Sequence, residues 1–191
     1  MRVLKTACWL LLAFFAAPTV EAQSISASDW TAAAEKVVRL RPDQFPFLSK
    51  PTVAILERLG CRIPQPFYSK EPNNLITGQF LKRGQTDIAL LCERGQTTTL
   101  LVLPNMGKGA PLPLAVSSVN NYLQVVGPEE IGFSWGITKI PLKKFMWASE
   151  EASCKWRSDY PPHGIDDAFI EKASSVRYRA HHSWRECAGA D

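Results

Sequence analysis

The sequence predicts an α+β domain: an antiparallel sheet in the form of a β-meander, packed by a few short helices and stapled by disulfides. Apolar residues follow helical spacing near the start of the chain and alternate at period two from Leu75 onward. Cysteine usage is the third sign, because Cys61, Cys92, Cys154 and Cys187 form an even set once Cys8 leaves with a leader. With 46% hydrophobic and 21% charged residues in a chain of 191, a single core can form. That excludes intrinsic disorder, a collagenous repeat and a multi-pass membrane protein.

Taken in order, Asp29 is placed to cap a helix whose Trp30, Ala33, Ala34 and Val37 make one apolar side, and Pro42 ends it. Ser49 caps a second helix, with Pro51 in its first turn, Val53, Leu56 and Leu59 on one face and Gly60 at its end. Pro64, Pro66 and Pro72 keep residues 62–74 extended over the surface. Residues 75–80, 87–92 and 97–103 are then three strands, joined by turns over 82–85 and 93–96. In the middle strand Ile88 and Leu90 point one way and Ala89 and Leu91 the other, so both faces are covered, one of them by helices. A loop rich in Gly and Pro over 105–113 precedes a further strand over 114–119, and Gly127 with Pro128 marks another turn.

Ile131, Phe133, Trp135 and Ile137 alternate with Gly132, Ser134, Gly136 and Thr138. This predicts one strand with a large apolar face and a small face that another group approaches closely. Pro141 starts a helix carrying Leu142, Phe145, Met146 and Ser149 and reaching Ser153. Strands over 168–170 and 174–179, an exposed His181-His182 turn and a strand over 184–187 complete the sheet.

Ahead of these elements, Arg2 and Lys5 precede an apolar stretch over 7–17 that is too short to span a bilayer, and Val20-Glu21-Ala22 has the small-residue spacing of a cleavage site. The expectation is a signal peptide over 1–22, a single globular domain over 23–191, and a secreted or periplasmic location. Cys8 stands at the start of the apolar run and not after it, so no lipid or other membrane anchor is expected in the mature protein. Two disulfides follow from the oxidising compartment, and of the three possible pairings Cys61–Cys92 with Cys154–Cys187 is favoured because each closes a local unit. There is no CxxC pair and no histidine at metal-like spacing to a cysteine, so no metal and no cofactor are expected. A net charge of +4 without a clustered basic stripe argues against a nucleic-acid partner.

Gly84-Gln85-Thr86-Asp87 and Gly164-Ile165-Asp166-Asp167 share a pattern: a glycine for a positive-φ turn, an aspartate three residues on that accepts hydrogen bonds from turn amides, then an apolar strand. Gly84, Asp87, Gly164 and Asp167 are therefore expected to build two structural turns. With Gly78 and Phe80 in front, the first resembles the FG-GAP type of β-propeller motif, whose loop carries calcium on alternate acidic residues. Gln79, Leu81 and Arg83 occupy those positions here, so the turn is expected to work without calcium, with Arg83 either solvated or paired to Asp87. A wider set of motifs, Gly60-Cys61-Arg62-Ile63-Pro64-Gln65, Asn74-Leu75-Ile76 with Gly78 and Phe80, Gly84 to Asp87 running to Leu91-Cys92, and the stretch from Gly164 to Ser174, resembles an uncharacterised family of exported bacterial proteins. That resemblance implies a compartment and a fold, and no activity.

Two function classes remain. One is a non-catalytic binding or envelope-associated domain whose partner is a protein or glycan of the envelope or medium, with Trp156, Tyr160 and Trp135 as the binding aromatics beside Trp147. The alternative is a small secreted hydrolase in which His163, Asp166, Asp167 and Glu171 supply acid-base chemistry. A pocket joining His163 to Asp87 would favour the hydrolase, and a flat exposed patch around Trp156 would favour binding. No GxSxG, HExxH or phosphate-cradling glycine loop is present.

Overall fold

A computed structural model describes residues 25–149 and 154–189; the expected leader over 1–22 lies outside them. The first helix, α1 (Ala27–Lys36), is capped by Ser26 and not by Asp29. Asp29 lies in the first turn, where its carboxyl accepts from the Ser26 amide at 2.7 Å and hydroxyl at 2.6 Å. α1 stops at Lys36, well before Pro42, which belongs to a separate single turn of 3₁₀ helix. Between them β1 (Arg39–Leu40) leads on to α2 (Lys50–Arg58), and β2 (Ile63–Pro64) pairs with β1. α2 has the predicted ends: the Ser49 hydroxyl accepts from the Thr52 amide, and Gly60 follows the C-cap at φ +70°.

The meander is β3 (Leu75–Gly78), β4 (Asp87–Arg94), β5 (Thr97–Leu103) and β6 (Leu112–Ser118), hydrogen-bonded in that order. β4 and β5 turn through Gly95 and Gln96, with Gly95 at φ 62°, where a type II′ hairpin puts its glycine. β7 (Leu123–Gly127) follows, a strand the sequence pattern does not reveal, and pairs with β8 (Glu130–Phe133) through a two-residue turn at Pro128 and Glu129. The single strand expected from Ile131 onward is broken at Ser134. There the Ser134 amide donates to the Tyr122 carbonyl at 2.7 Å and its carbonyl accepts from Ile170 at 2.9 Å. Beyond the break, β9 (Trp135–Pro141) joins a different sheet. The alternation runs through the break because Phe133 and Trp135 both enter the same core cluster.

The last helix, α3 (Leu142–Ala148), ends at Ala148 with Ser149 extended after it, and the Ser153 end that the pattern suggests lies outside the described residues. β10 (His163–Phe169), β11 (Ala173–Ala180) and β12 (Ser183–Ala188) complete a second sheet in the order β12-β11-β10-β9. The exposed turn at His181 and His182 is present, with both residues at positive φ.

These sheets are the two middle layers of four. Ala89, Leu91, Leu100 and Val102 of the first face Trp135, Ile137 and Ile165 of the second. The opposite face of β4, Ile88, Leu90 and Cys92, packs on Phe45, Ile63 and Leu56 of α2. Leu142 and Met146 of α3 cover Val176, Tyr178 and Cys187 on the far side of the second sheet. The chain is thus α+β, with both faces of the central strand covered as its composition requires.

The disulfides are Cys61–Cys92 and Cys154–Cys187. Each ties the segment that follows an outer helix to a strand of the sheet beneath it. At sequence separations of 31 and 33, each stabilises by roughly 3 to 4 kcal/mol in the chain-entropy account. Two such bonds are the mark of an oxidising, extracellular-type environment. Among the described residues no helix is long and apolar enough to cross a membrane.

Candidate functional site

Asp87 is fully buried at the start of β4, and both its carboxyl oxygens are used. Oδ2 accepts from the amides of Phe80 at 3.1 Å and Leu81 at 3.0 Å; Oδ1 accepts from the Asn105 amide at 3.0 Å and Gln85 Nε2 at 2.5 Å. The first turn is therefore built as its sequence suggests, with Gly84 at φ 79°. Gln85, and not Arg83, supplies the side-chain partner, because the exposed Arg83 reaches toward the Ser158 carbonyl. Gln79 accepts from the Gly84 amide at 2.6 Å, so an amide oxygen closes the loop.

The second turn does not exist. Gly164 lies inside β10 opposite Ile140, without a positive φ, and Asp167 is in mid-strand opposite Ile137. Gly164 serves packing instead: a Cβ there would come within 2.7 Å of Leu142 and 3.0 Å of Val176. The two glycines among the four small residues of the aromatic stretch are approached closely as expected, since Phe67 closes on Gly132 and Ile170 on Gly136.

The acid-base candidates are dispersed. His163 Nδ1 accepts from the Gln79 amide at 3.0 Å, which places the ring proton on Nε2. Burial, reinforced by the charge of Lys139, holds the His163 pKa below its ordinary value. Asp167 is on the same face of β10 but four residues along, about 13 Å at the strand rise of ~3.3 Å per residue. Its carboxyl is engaged by Trp135 Nε1 at 2.5 Å and Arg177 Nε at 2.7 Å, and Arg177 continues to Glu186 at 2.9 Å. Asp166 points to the opposite face, where burial raises its pKa against the pull of Ser174 and Thr138. Glu171 is exposed in the β10–β11 turn at φ 64°. The pocket bounded by Ile76, Thr86, Met106 and Lys139 includes neither His163 nor Asp87 in its lining, and among the described residues no group of acidic, histidine and cysteine side chains could hold a metal ion.

Of the binding aromatics, Trp135 is a core residue, fully buried and stacked on Tyr122 at 4.1 Å between ring centroids. Tyr160 is also buried, at 9% exposure, against Tyr178. Neither ring is available to a ligand, because each completes the packing of the second sheet. Trp156 is half-buried on the cluster that holds Tyr160 and faces outward to Lys143. The Lys143 ammonium lies 5.4 Å from the Trp156 ring centre and 4.6 Å from that of Trp147, which is 72% exposed. Helical spacing places Lys143 and Trp147 one turn apart on α3. The structure thus promotes Trp147, and with it Lys143, to the centre of the aromatic patch.

A cleft of about 1460 Å³ opens elsewhere, between α1, the segment over 65–72 and the full length of β8. Sequence reasoning does not find it, since it exists only because β8 pairs with β7 and leaves the other sheet. The chain matches no known protein family, no curated protein and no solved structure.

Proposed function

We propose that this chain is an exported, non-catalytic binding domain, secreted or periplasmic, that engages a protein or glycan of the cell envelope or medium. The leader-like sequence over 1–22 and the resemblance to exported bacterial proteins support the compartment. One observation carries the binding reading: a single ammonium group lies over two tryptophan rings, one of them largely exposed. A cation over an aromatic face is worth roughly 0.5 to 1 kcal/mol where exposed, enough to set the ring orientation before a ligand arrives. The open side of Trp147 can stack on a sugar or fill a protein pocket, while Lys143 selects a neighbouring acceptor or anion. The hydrolase alternative has no comparable support, as His163 and Asp167 are about 13 Å apart along β10 and each is already hydrogen-bonded.

Affinity capture from envelope and culture fractions tests the reading, with Trp147→Ala as the discriminating variant because removing an exposed ring leaves the core intact. A central aromatic anchor is worth roughly 2 kcal/mol, so capture should weaken about thirtyfold. Protease treatment of the captured material separates a protein from a glycan. Equal capture by the variant and the parent would remove the patch from consideration.

A further inference from the structure

We infer that the outer edge of β8 receives an extended cationic peptide, which lies in the cleft as an added strand. The surface is separate from the tryptophan patch and does not depend on it. β8 has one strand neighbour, β7, so half of its backbone groups point away from the pair. Which half is fixed by two hydrogen bonds. The Ser134 amide turns toward Tyr122 on the β7 side, and the Phe133 carbonyl accepts from the Phe67 amide at 2.8 Å on the opposite side. Alternation then sends the amide and carbonyl of Ile131 outward, in line with Phe133 and into the cleft. Phe67 therefore makes the first rung of a ladder, and Ile131 offers the next pair of groups with no strand on them among the described residues.

The walls suit a strand. Ala33 and Val37 of α1 and Phe67 line the cleft, and they offer apolar contacts to the alternating side chains of an added chain. Charge selects the occupant. Asp29, Glu71, Glu129 and Glu130 line the cleft against Lys36 and Lys70, an acidic excess on a chain whose net charge is +4. No ion pair among the described residues engages Glu71, Glu129 or Glu130. Lysine or arginine in the incoming peptide would supply the missing partners, and like-charged acidic peptides would be turned away.

The test uses the folded, disulfide-bonded chain and a labelled heptapeptide of alternating valine and threonine with lysine at both ends. Fluorescence anisotropy should show it binding at least tenfold more tightly than a version ended by glutamate, and Glu129→Lys with Glu130→Lys should abolish that preference. In hydrogen exchange read by NMR, the Ile131 amide should exchange readily in the free protein and become protected in the complex. N-methylation of alternate peptide residues, in one of its two phases, should weaken binding at least tenfold without altering the protein at all. Trp147→Ala should leave every one of these readouts unchanged. Failure of both peptides to bind, binding without protection of Ile131, or indifference to N-methylation in both phases overturns the inference. So does protection of Ile131 in a peptide-free dimer, which would assign the edge to a second copy of this chain.

Discussion

Removing the carboxyl of Asp87 tests how the meander is held to its flanking loops. The side chain is fully buried and accepts three backbone amides, two on one oxygen and one on the other. Alanine leaves all three without their acceptor. Phe80 is buried and water cannot replace the lost partner there, while Leu81 is half-buried and Asn105 is exposed. At ~1 to 3 kcal/mol for each stranded buried donor and less for those that water reaches, Asp87→Ala should cost about 3 to 5 kcal/mol. Asparagine retains one oxygen, and its best orientation keeps Phe80 and Leu81 satisfied at the expense of Asn105. Asp87→Asn should therefore cost only ~1 to 2 kcal/mol. Part of either loss comes from Asn105 and Met106, consecutive left-handed residues at φ 49° and 57° that the Asp87 bond helps to pin. Urea unfolding followed by tryptophan fluorescence resolves the two variants. An alanine variant within about 1 kcal/mol of the parent, or one no worse than asparagine, refutes the account. A rise in melting temperature with millimolar calcium would refute it differently, by showing that the turn is a metal loop after all.

Two further outcomes follow from the same structure. Because burial holds the His163 pKa below its unfolded value, the unfolded chain takes up this proton first as the pH falls. The stability that neutral His163 contributes is present above its unfolded pKa and is lost as the pH falls through the folded value. The stability difference between parent and His163→Gln should therefore shrink from pH 7.5 to pH values below the ordinary histidine range of about 6.5, and an unchanged difference would mean the imidazole titrates freely. Replacing either cysteine pair by serine should cost roughly 3 to 4 kcal/mol in urea unfolding, and non-reducing peptide mapping of the parent should recover only the Cys61–Cys92 and Cys154–Cys187 peptides.

The elements legible in advance are those whose signals are local. Ser49, Pro51 and Gly60 bracket α2 by capping chemistry alone, and the residue choices of β4 and β5 report two covered faces without any knowledge of what covers them. The cysteine pairing is legible because each bond closes on the element next in the fold. What escaped depends on distant partners. Gly164 resembles Gly84 within its own heptad of sequence, yet one relieves crowding against Leu142 and the other adopts a left-handed turn. Period two cannot announce a change of sheet at Ser134 when the residues on either side bury into one cluster. Trp135, Trp147 and Trp156 are equivalent as letters. Only the tertiary packing decides their fates: β9 turns Trp135 into the core between the sheets, while α3 leaves Trp147 in solvent and Trp156 half-way between.

The disulfides and the open edge of β8 lie at different ends of this architecture. The two disulfides bind α2 and α3 to the outer faces of the paired sheets, where Leu56, Ile63, Leu142 and Val176 are without exposure. The end built from α1, β7 and β8 has neither bond. α1 buries no residue completely, and its C-terminal carbonyls are gathered by one side chain, Arg39, which donates to Ala34, Glu35 and Val37 and anchors through Nε to the buried Glu93 at 2.7 Å. Glu93 follows Cys92 in β4, so this single guanidinium connects the least buried helix to a disulfide-stapled strand. Local opening is set by the contacts a segment must lose, and for α1 those are the partly buried Trp30, Ala33, Ala34 and Val37 on the core between the sheets. A binding cleft needs walls that can adjust to an incoming chain, whereas the strands that define its floor must keep their register. For the strand proposed to bind here, α1 is the wall with no fully buried residue and no disulfide, and the pairing of β7 fixes the direction of the backbone groups along the open edge of β8.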